Sequence, residues 1–240
     1  MAIALATRRL AAGELLQHVS RVAYREQRLH FGSDGTNRYD APDGRYGVLY
    51  LGLTLPTALM ESVFHKHHWD RDARRSMALA EVHSRLVRVV GVLDDLKLAD
   101  LTAPGVMAAH FGLNLEQLAI RGYEDTQRVS VEVHAMRDAD DKPIFDGLLA
   151  PSRNNYPEPC VALFDRARHK VKVIDDIDLV DHVDWPRFVE DYRIGVSGQP
   201  EFSPGNRVRV ETWQLCDSPI ADFPGVVPNP ALAAPVCRTV

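Results

Sequence analysis

The chain has 240 residues, of which 45% are hydrophobic and 25% are charged, a mixture typical of a soluble globular protein. Its formal net charge of -5 gives no basic field for a nucleic-acid backbone, so we expect no direct nucleic-acid partner. Its 3 cysteines are widely spaced and form no Cys-x-x-Cys pair, which indicates free thiols in a reducing compartment rather than disulfides or a zinc site.

The N-terminal segment, MAIALATRRLAAGELL, places a basic pair after a short apolar run. A secretory signal has the opposite order, and no apolar run approaches the roughly 20 residues of a membrane span. We therefore expect a cytoplasmic protein that does not associate with a membrane.

The distribution of proline predicts a compact domain followed by an extended arm. The domain is expected from about Leu15 to about Gly195, and the arm from Val196 to Val240. The arm contains seven of the 15 prolines of the chain. Because proline fixes its own φ and lacks a backbone donor, such a segment is unsuited to a regular helix or to a central strand.

The first clear pair of elements is a strand followed by a helix. The apolar segment Gly47–Leu53 is rich in strand formers and predicts a buried strand. Thr54 can cap a helix that has Pro56 in its first turn and runs to about His68. Glu61 lies outside the wide apolar arc of this helix, so we expect it to point toward solvent or a cleft. The polar face carries Thr57, Glu61, His65 and His68.

Later segments predict a mixture of strands and helices. One of them, Gln127–Met136, fits a strand by the alternation of its valines and a helix face by a different subset of its apolar residues. Strands dispersed among helices without regular βαβ alternation favour an α+β fold with a compact mixed sheet. The further predicted strands are Arg85–Leu93, Phe145–Ala150, Cys160–Phe164 and Lys170–Ile174, and the predicted helices are Leu113–Ala119 and Trp185–Tyr192.

A histidine-rich sequence, FHKHHWD, ends the first predicted helix. His65 and His68 are three residues apart and could lie side by side on a helix. A third ligand is not evident and the H-E-x-x-H motif is absent, so we expect no metal and a polar helix end instead. A metal hydrolase that uses these two imidazoles remains an alternative hypothesis.

Three separated motifs resemble the RES domain, a family named for an Arg, a Glu and a Ser. They are VSRVAY around Arg21, GVLYLGLTLPTALMES from Gly47 to Ser62, and DGLLAPSR from Asp146 to Arg153. The motifs occur in the family's order, and the resemblance covers roughly Arg21 to Phe164. It implies an α+β fold similar to ADP-ribosyltransferases, and it favours a helix for the ambiguous segment Gln127–Met136.

The resemblance also implies a function. RES proteins are the toxins of bacterial toxin–antitoxin pairs and attack NAD, which is split by phosphorolysis, by hydrolysis or by ADP-ribosyl transfer. The expected partner is an Xre-type antitoxin with a helix-turn-helix domain that covers the active site, in a homodimer or a larger complex. Family members are shorter than this chain, so the resemblance does not account for the arm. A catalytically inactive NAD-binding or regulatory module is the alternative.

The chemistry of NAD suggests why a single carboxylate would suffice. The nicotinamide leaves as a neutral base from a cationic pyridinium, so it needs no proton, and the usual pair of glycosidase carboxylates can shrink to one. Glu61 is expected to stabilise the positive charge that grows on the ribose or to hold its 2′-hydroxyl. Arg21 is expected to bind the pyrophosphate, since a guanidinium presents a fork of donors to phosphate oxygens.

Three more residues complete the predicted site. Arg38, in the sequence NRYD, resembles a second family arginine that binds NAD. Tyr50 could stack on the nicotinamide or adenine ring, and Ser152 could hold the ribose or the nicotinamide amide. Ser152 is not expected to be a nucleophile, because no G-x-S-x-G sequence surrounds it. Without the motifs, Arg21 would be interpreted as an ion-pairing arginine, Tyr50 as a core tyrosine and Ser152 as a serine that caps a turn.

Overall fold

The computed structural model describes residues 5–64, 75–114, 116–117 and 122–198. Within these ranges no helix has the length and apolar character that crossing a membrane requires. The helices are α1 (Leu55–Ser62), α2 (Leu79–His83), α3 (Val106–Phe111), α4 (Glu124–Ala135) and α5 (Trp185–Asp191). The strands are β1 (Thr7–Leu10), β2 (Leu15–Arg21), β3 (Val48–Gly52), β4 (Ser76–Ala78), β5 (Arg85–Val92), β6 (Leu96–Asp100), β7 (Gly147–Pro151), β8 (Pro159–Phe164), β9 (Val171–Asp178) and β10 (Gly195–Ser197).

Eight of these strands form one mixed sheet in the order β1-β6-β7-β8-β3-β2-β5-β9. The pair β6–β7 is parallel and the other described pairs of this sheet are antiparallel. Strands β4 and β10 form a separate parallel pair. A mixed sheet with flanking helices confirms the predicted α+β class.

Most predicted elements have counterparts in the described residues. The predicted strands in the segments 47–53, 85–93, 145–150 and 160–164 correspond to β3, β5, β7 and β8, and the strand from Lys170 is longer than predicted, because β9 extends to Asp178. The ambiguous segment 127–136 lies almost entirely in α4, which confirms the helical interpretation. The first helix is shorter than predicted, because α1 ends at Ser62 and the described residues Val63 and Phe64 are not helical; the predicted end at His68 lies outside the described residues.

The helix predicted over 113–119 begins at the wrong place. Leu113 and Asn114 are not helical, and the preceding helix α3 has already ended at Phe111. Gly112 ends α3 because its φ of 66° is left-handed, a conformation that glycine adopts without the penalty other residues have. Glu116 and Gln117 are helical, as predicted, and the other residues of the predicted helix lie outside the described ranges.

The domain limits remain predictions. β1 lies ahead of the predicted start at Leu15, and it pairs with β6 at one edge of the sheet. β10 includes Val196, the first residue of the predicted arm, and pairs it with Met77. From residue 199 the arm lies outside the described residues.

The strand–helix unit β3–α1 is built by local signals. The backbone N–H of Thr57 donates to Oγ1 of Thr54 at 3.4 Å, and Thr54 has extended backbone angles, as a helix cap requires. Gly52 brings strand and helix together, because a Cβ there would lie 2.4 Å from the backbone nitrogen of Ala58. The close approach fixes α1, and with it Glu61, against the sheet.

One face of the sheet carries both α1 and α4. Val48 belongs to the buried cluster that includes Val129 and Val133 of α4, whereas the neighbouring Leu49 belongs to the cluster on the opposite face. Gly52 points to the same face as Val48, and it is this residue that contacts α1. The helix that carries Glu61 and the helix α4 therefore lie on the same side of the sheet.

His134, in the last turn of α4, gives the fold a pH-dependent part of its stability. Its ring stacks on Tyr46 with centroids 3.9 Å apart. Burial, together with the positive charges of Arg166 and Arg137, lowers the pKa of His134 to about 4. Because the unfolded chain has a histidine pKa of about 6.5, it binds the proton first as the pH falls. The stability that neutral His134 provides is therefore complete above about pH 6.5 and is lost progressively down to about pH 4.

The variant His134→Phe keeps a ring against Tyr46 but cannot be protonated. We expect its Tm to fall less than the Tm of the unchanged chain when the pH is lowered from about 7 to about 4.5. Circular dichroism melts of both proteins across this range measure the difference. Equal losses of Tm in the two proteins would show that His134 does not contribute to the acid sensitivity.

Candidate active site

Glu61 in the last turn of α1 meets the segment that follows β7. The hydroxyl of Ser152 donates to Oε1 of Glu61 at 2.5 Å, and the backbone N–H of Arg153 donates to the same oxygen at 3.0 Å. Across the described part of the chain, Oε2 of Glu61 accepts no hydrogen bond. One oxygen of the half-buried carboxylate is thus held by two donors, and the other accepts no hydrogen bond from the described residues.

The orientation of the Ser152 hydroxyl follows from its own neighbours. Ser152 is only 1% exposed, and its Oγ accepts the backbone N–H of Asn155 at 2.9 Å. Since that N–H can only donate, the hydroxyl proton of Ser152 is free to point at Glu61. The backbone N–H of Ser152 donates to the carbonyl of Glu158 at 2.9 Å, which closes the turn. Ser152 thus has the geometry of a group that positions a carboxylate.

Asn155 ties this turn to two helices. Its Nδ2 donates to Oγ1 of Thr57 on α1 at 3.0 Å, and its Oδ1 accepts the hydroxyl of Tyr192, which directly follows α5. Thr57 is fully buried, so this part of the polar face of α1 packs against the turn instead of facing water. Sequence reasoning missed Asn155 and Tyr192. The only local signal was the pair of asparagines in SRNNYP, a composition typical of turns.

We expect Tyr192→Phe to lower the free energy of unfolding by about 1–3 kcal/mol, because it leaves the buried amide oxygen of Asn155 without its donor. Urea denaturation followed by fluorescence measures this change. Tyr24→Phe is the control, since Tyr24 is 48% exposed and its hydroxyl makes no hydrogen bond within the described residues. Equal denaturation midpoints for the two variants would contradict the structural role of the Tyr192 hydroxyl.

Arg38 reaches the same turn from the loop that precedes β3. Its Nη1 donates to the carbonyl of Pro151 at 3.1 Å, and the side chain is buried. Burial alone would lower the pKa of Arg38, but the neighbouring acidic groups Tyr39, Cys160 and Glu61 raise it. Burial also raises the pKa of Tyr39 and of Cys160, so both hold their protons at neutral pH. Glu61 is thus one of the acidic groups whose charge raises the pKa of Arg38.

Tyr50, on β3, uses its hydroxyl inside the protein. The hydroxyl donates to Oδ1 of buried Asp40 at 3.0 Å and accepts the backbone N–H of Tyr39 at 2.8 Å. Burial and the charge of Asp40 raise the pKa of Tyr50 well above 10. The hydroxyl of Tyr50 is thus bonded to the loop that contains Tyr39 and Asp40, and only its half-buried ring could contact a ligand. Stacking by this ring stays a prediction.

Arg21 lies outside this network of contacts. It ends β2 with a side chain that is 50% exposed and 3.9 Å from Glu81. It lines a cavity of about 480 Å³ together with His18 and Arg88. The described contacts thus bring Arg38 to the turn beside Glu61, and the binding of pyrophosphate by Arg21 stays a prediction.

The proposed histidine ligands His65 and His68 lie outside the described residues. In the part of the chain that the structure describes, no group of three or more His, Cys, Asp or Glu side chains could hold a metal ion.

Comparison with known proteins identifies the family. The sequence profile of the RES domain matches residues 15–186, a span that contains β2 through the first residues of α5 and every residue of the predicted site. No curated protein matches the chain. The RES domain is associated with NAD-acting proteins of toxin–antitoxin systems. The match covers more than half of the chain and confirms the resemblance of its three motifs: the chain belongs to the RES domain family.

Proposed function

We propose that this chain cleaves the nicotinamide–ribose bond of NAD and that Glu61 is the catalytic carboxylate. One observation carries the proposal. Two donors, the Ser152 hydroxyl and the Arg153 N–H, hold Oε1 of Glu61 and leave Oε2 unoccupied by described groups. In a family associated with NAD, a carboxylate held in this way is suited to a charge that develops on a ribose.

In the reaction, the bond between ribose C1′ and the nicotinamide nitrogen breaks, and both electrons go to the nitrogen. The pyridinium becomes neutral nicotinamide, and the positive charge moves to C1′ and the ring oxygen of the ribose. Oε2 of Glu61 stabilises this charge or accepts a hydrogen bond from the 2′-hydroxyl. A nucleophile then adds to C1′ and releases its proton. Water, phosphate and a protein side chain are the three candidate nucleophiles.

The neighbouring residues divide the remaining tasks. Ser152 and Asn155 keep the carboxylate in one orientation, as their hydrogen bonds indicate. Arg38 stabilises the turn through Pro151 and supplies the nearby cation for the pyrophosphate, with Arg21 as a second, more distant candidate. The half-buried ring of Tyr50 would stack on the nicotinamide.

We propose that this reaction makes the chain the toxin of a toxin–antitoxin pair in the cytoplasm. Loss of NAD would arrest growth, and a helix-turn-helix antitoxin would prevent this by covering the site in a homodimeric or larger complex. The family membership supports this role. Expression of the chain alone should arrest growth, and co-expression of the product of the neighbouring gene should relieve the arrest.

The direct test is incubation of the purified chain with NAD, with and without phosphate, followed by mass analysis. We expect release of nicotinamide together with ADP-ribose or its phosphate adduct. An unchanged NAD concentration at high protein concentration would overturn the proposal. Binding of NAD without turnover would instead support the inactive module.

A further inference from the structure

A second cavity adjoins the turn that carries Ser152. It has a volume of about 530 Å³ and lies between the ends of β6 and β7 and the helix α3. Leu101, Met107 and Leu113 line it and are buried, whereas Tyr156 also lines it and is 75% exposed. Three buried apolar residues and one exposed aromatic residue give the cavity an apolar interior and an aromatic rim.

The cavity and the candidate active site share one stretch of chain. Pro151 and Tyr156 line the cavity, and the residues between them include Ser152 and Arg153, which donate to Glu61, and Asn155, which donates to Ser152. The segment that binds Oε1 of Glu61 thus begins and ends at residues that line the cavity.

The lining of the cavity favours a flat, uncharged ring. None of the described residues that line it is charged, so it does not suit a pyrophosphate. Its volume lies within the range of about 300–1,000 Å³ that is typical of small-molecule sites. The exposed ring of Tyr156 can stack on a base. Asn114 also lines the cavity, and its Nδ2 can donate to the edge of the base, whereas its Oδ1 accepts the backbone N–H of Gln117 at 2.9 Å.

We propose that this cavity binds the adenine ring of NAD. The inference rests on the proposed function, because it assigns the second base of the same substrate. The nicotinamide ring is cationic before cleavage and is attached to the ribose carbon that faces Glu61. It therefore belongs at the carboxylate and not in an uncharged cavity, which leaves adenine as the ring for Tyr156.

The test compares NAD with nicotinamide mononucleotide, which has the same scissile bond and lacks the adenylate half. Tyr156→Ala removes the stacking ring, and Ala108→Phe fills the cavity from α3. Ala109→Phe is the matched control, because Ala109 is exposed on the same helix and does not line the cavity. We expect the first two variants to raise KM for NAD about tenfold and to leave kcat/KM for the mononucleotide unchanged.

Equal changes for both substrates, or no change for NAD, would overturn the assignment of the cavity. If the unchanged chain cleaves neither substrate, the proposed function has failed, and titration with AMP alone decides about the cavity. Binding of AMP that Ala108→Phe weakens and Ala109→Phe does not would still support an adenine site. No binding of AMP, or equal binding by both variants, would remove it.

Discussion

Glu61→Gln should lower the rate of nicotinamide release from NAD by about 10²–10³-fold, the loss typical of removing one preorganised electrostatic group. The amide oxygen can still accept the hydrogen bonds of Ser152 and of the Arg153 N–H, so the turn keeps its structure. The amide carries no negative charge, so it cannot stabilise the positive charge of the ribose. The variant therefore separates the charge of the side chain from its structural contacts.

A matched control makes this result specific. Glu132→Gln removes a carboxylate from α4, where Glu132 forms an exposed ion pair with Arg128 at 3.0 Å. We expect its rate to stay within about twofold of the unchanged chain, because exposed pairs contribute about 0–1 kcal/mol. Chromatographic initial rates and a thermal melt are measured on each protein. A Glu61→Gln protein that is folded and fully active would remove Glu61 from the mechanism.

The unit β3–α1 shows how much a local sequence can predict. The apolar run before Thr54, the capping hydroxyl of Thr54 and the proline in the first turn all act over a few residues, and the structure has the strand, the cap and the start of the helix where the sequence indicated them. Gly52 was inside the predicted strand, but the pattern gave no sign that a helix would approach its Cα so closely. Local sequence signals predict where the strand and the helix lie in the chain, whereas tertiary contacts determine how closely the two pack.

The contacts of Glu61 could not be predicted from local patterns. Ser152 is 91 residues from Glu61 in the chain, and Arg38 is 113 residues from Pro151. Only the family motifs associated Glu61 with Ser152, and they carried no information about which arginine lies beside the turn. Asn155 was not predicted as a site residue, because asparagine is common in polar turns. Its role in joining α1 and Tyr192 through hydrogen bonds depends on tertiary packing.

The helix predicted over 113–119 was confirmed only in part, because Glu116 and Gln117 are helical but Leu113 and Asn114 are not, and the preceding helix α3 was not predicted. The sequence LNLEQLA has helical spacing, whereas the six residues of α3 are too few to show a clear period. Two glycines with left-handed φ, Gly105 and Gly112, bound α3 on both sides. The two glycines were the stronger signal for the ends of α3, because glycine readily adopts the left-handed φ at which a helix stops.

Arg88 forms the most extensively bonded buried ion pair among the described residues. Its Nε and Nη2 donate to the two carboxylate oxygens of Asp176 at 2.9 and 3.1 Å, which is a bidentate contact between β5 and β9. Its Nη2 and Nη1 also donate to the carbonyls of Arg25 and Gln27 at 2.5 and 2.8 Å. One side chain thus holds the outer strand of the sheet and the loop that follows β2.

Arg88→Met should therefore lower the free energy of unfolding by about 3–5 kcal/mol, because it leaves the largely buried carboxylate of Asp176 without its bidentate partner. Arg128→Met, at an exposed pair on α4, should cost less than about 1 kcal/mol. Urea denaturation of both variants measures the difference. The double variant Arg88→Met with Asp176→Leu should recover part of the loss, since the unpaired charge is then gone. A double variant as unstable as the sum of its single changes would show that the carbonyl contacts of Arg88, and not the ion pair, hold the loop and β9 together.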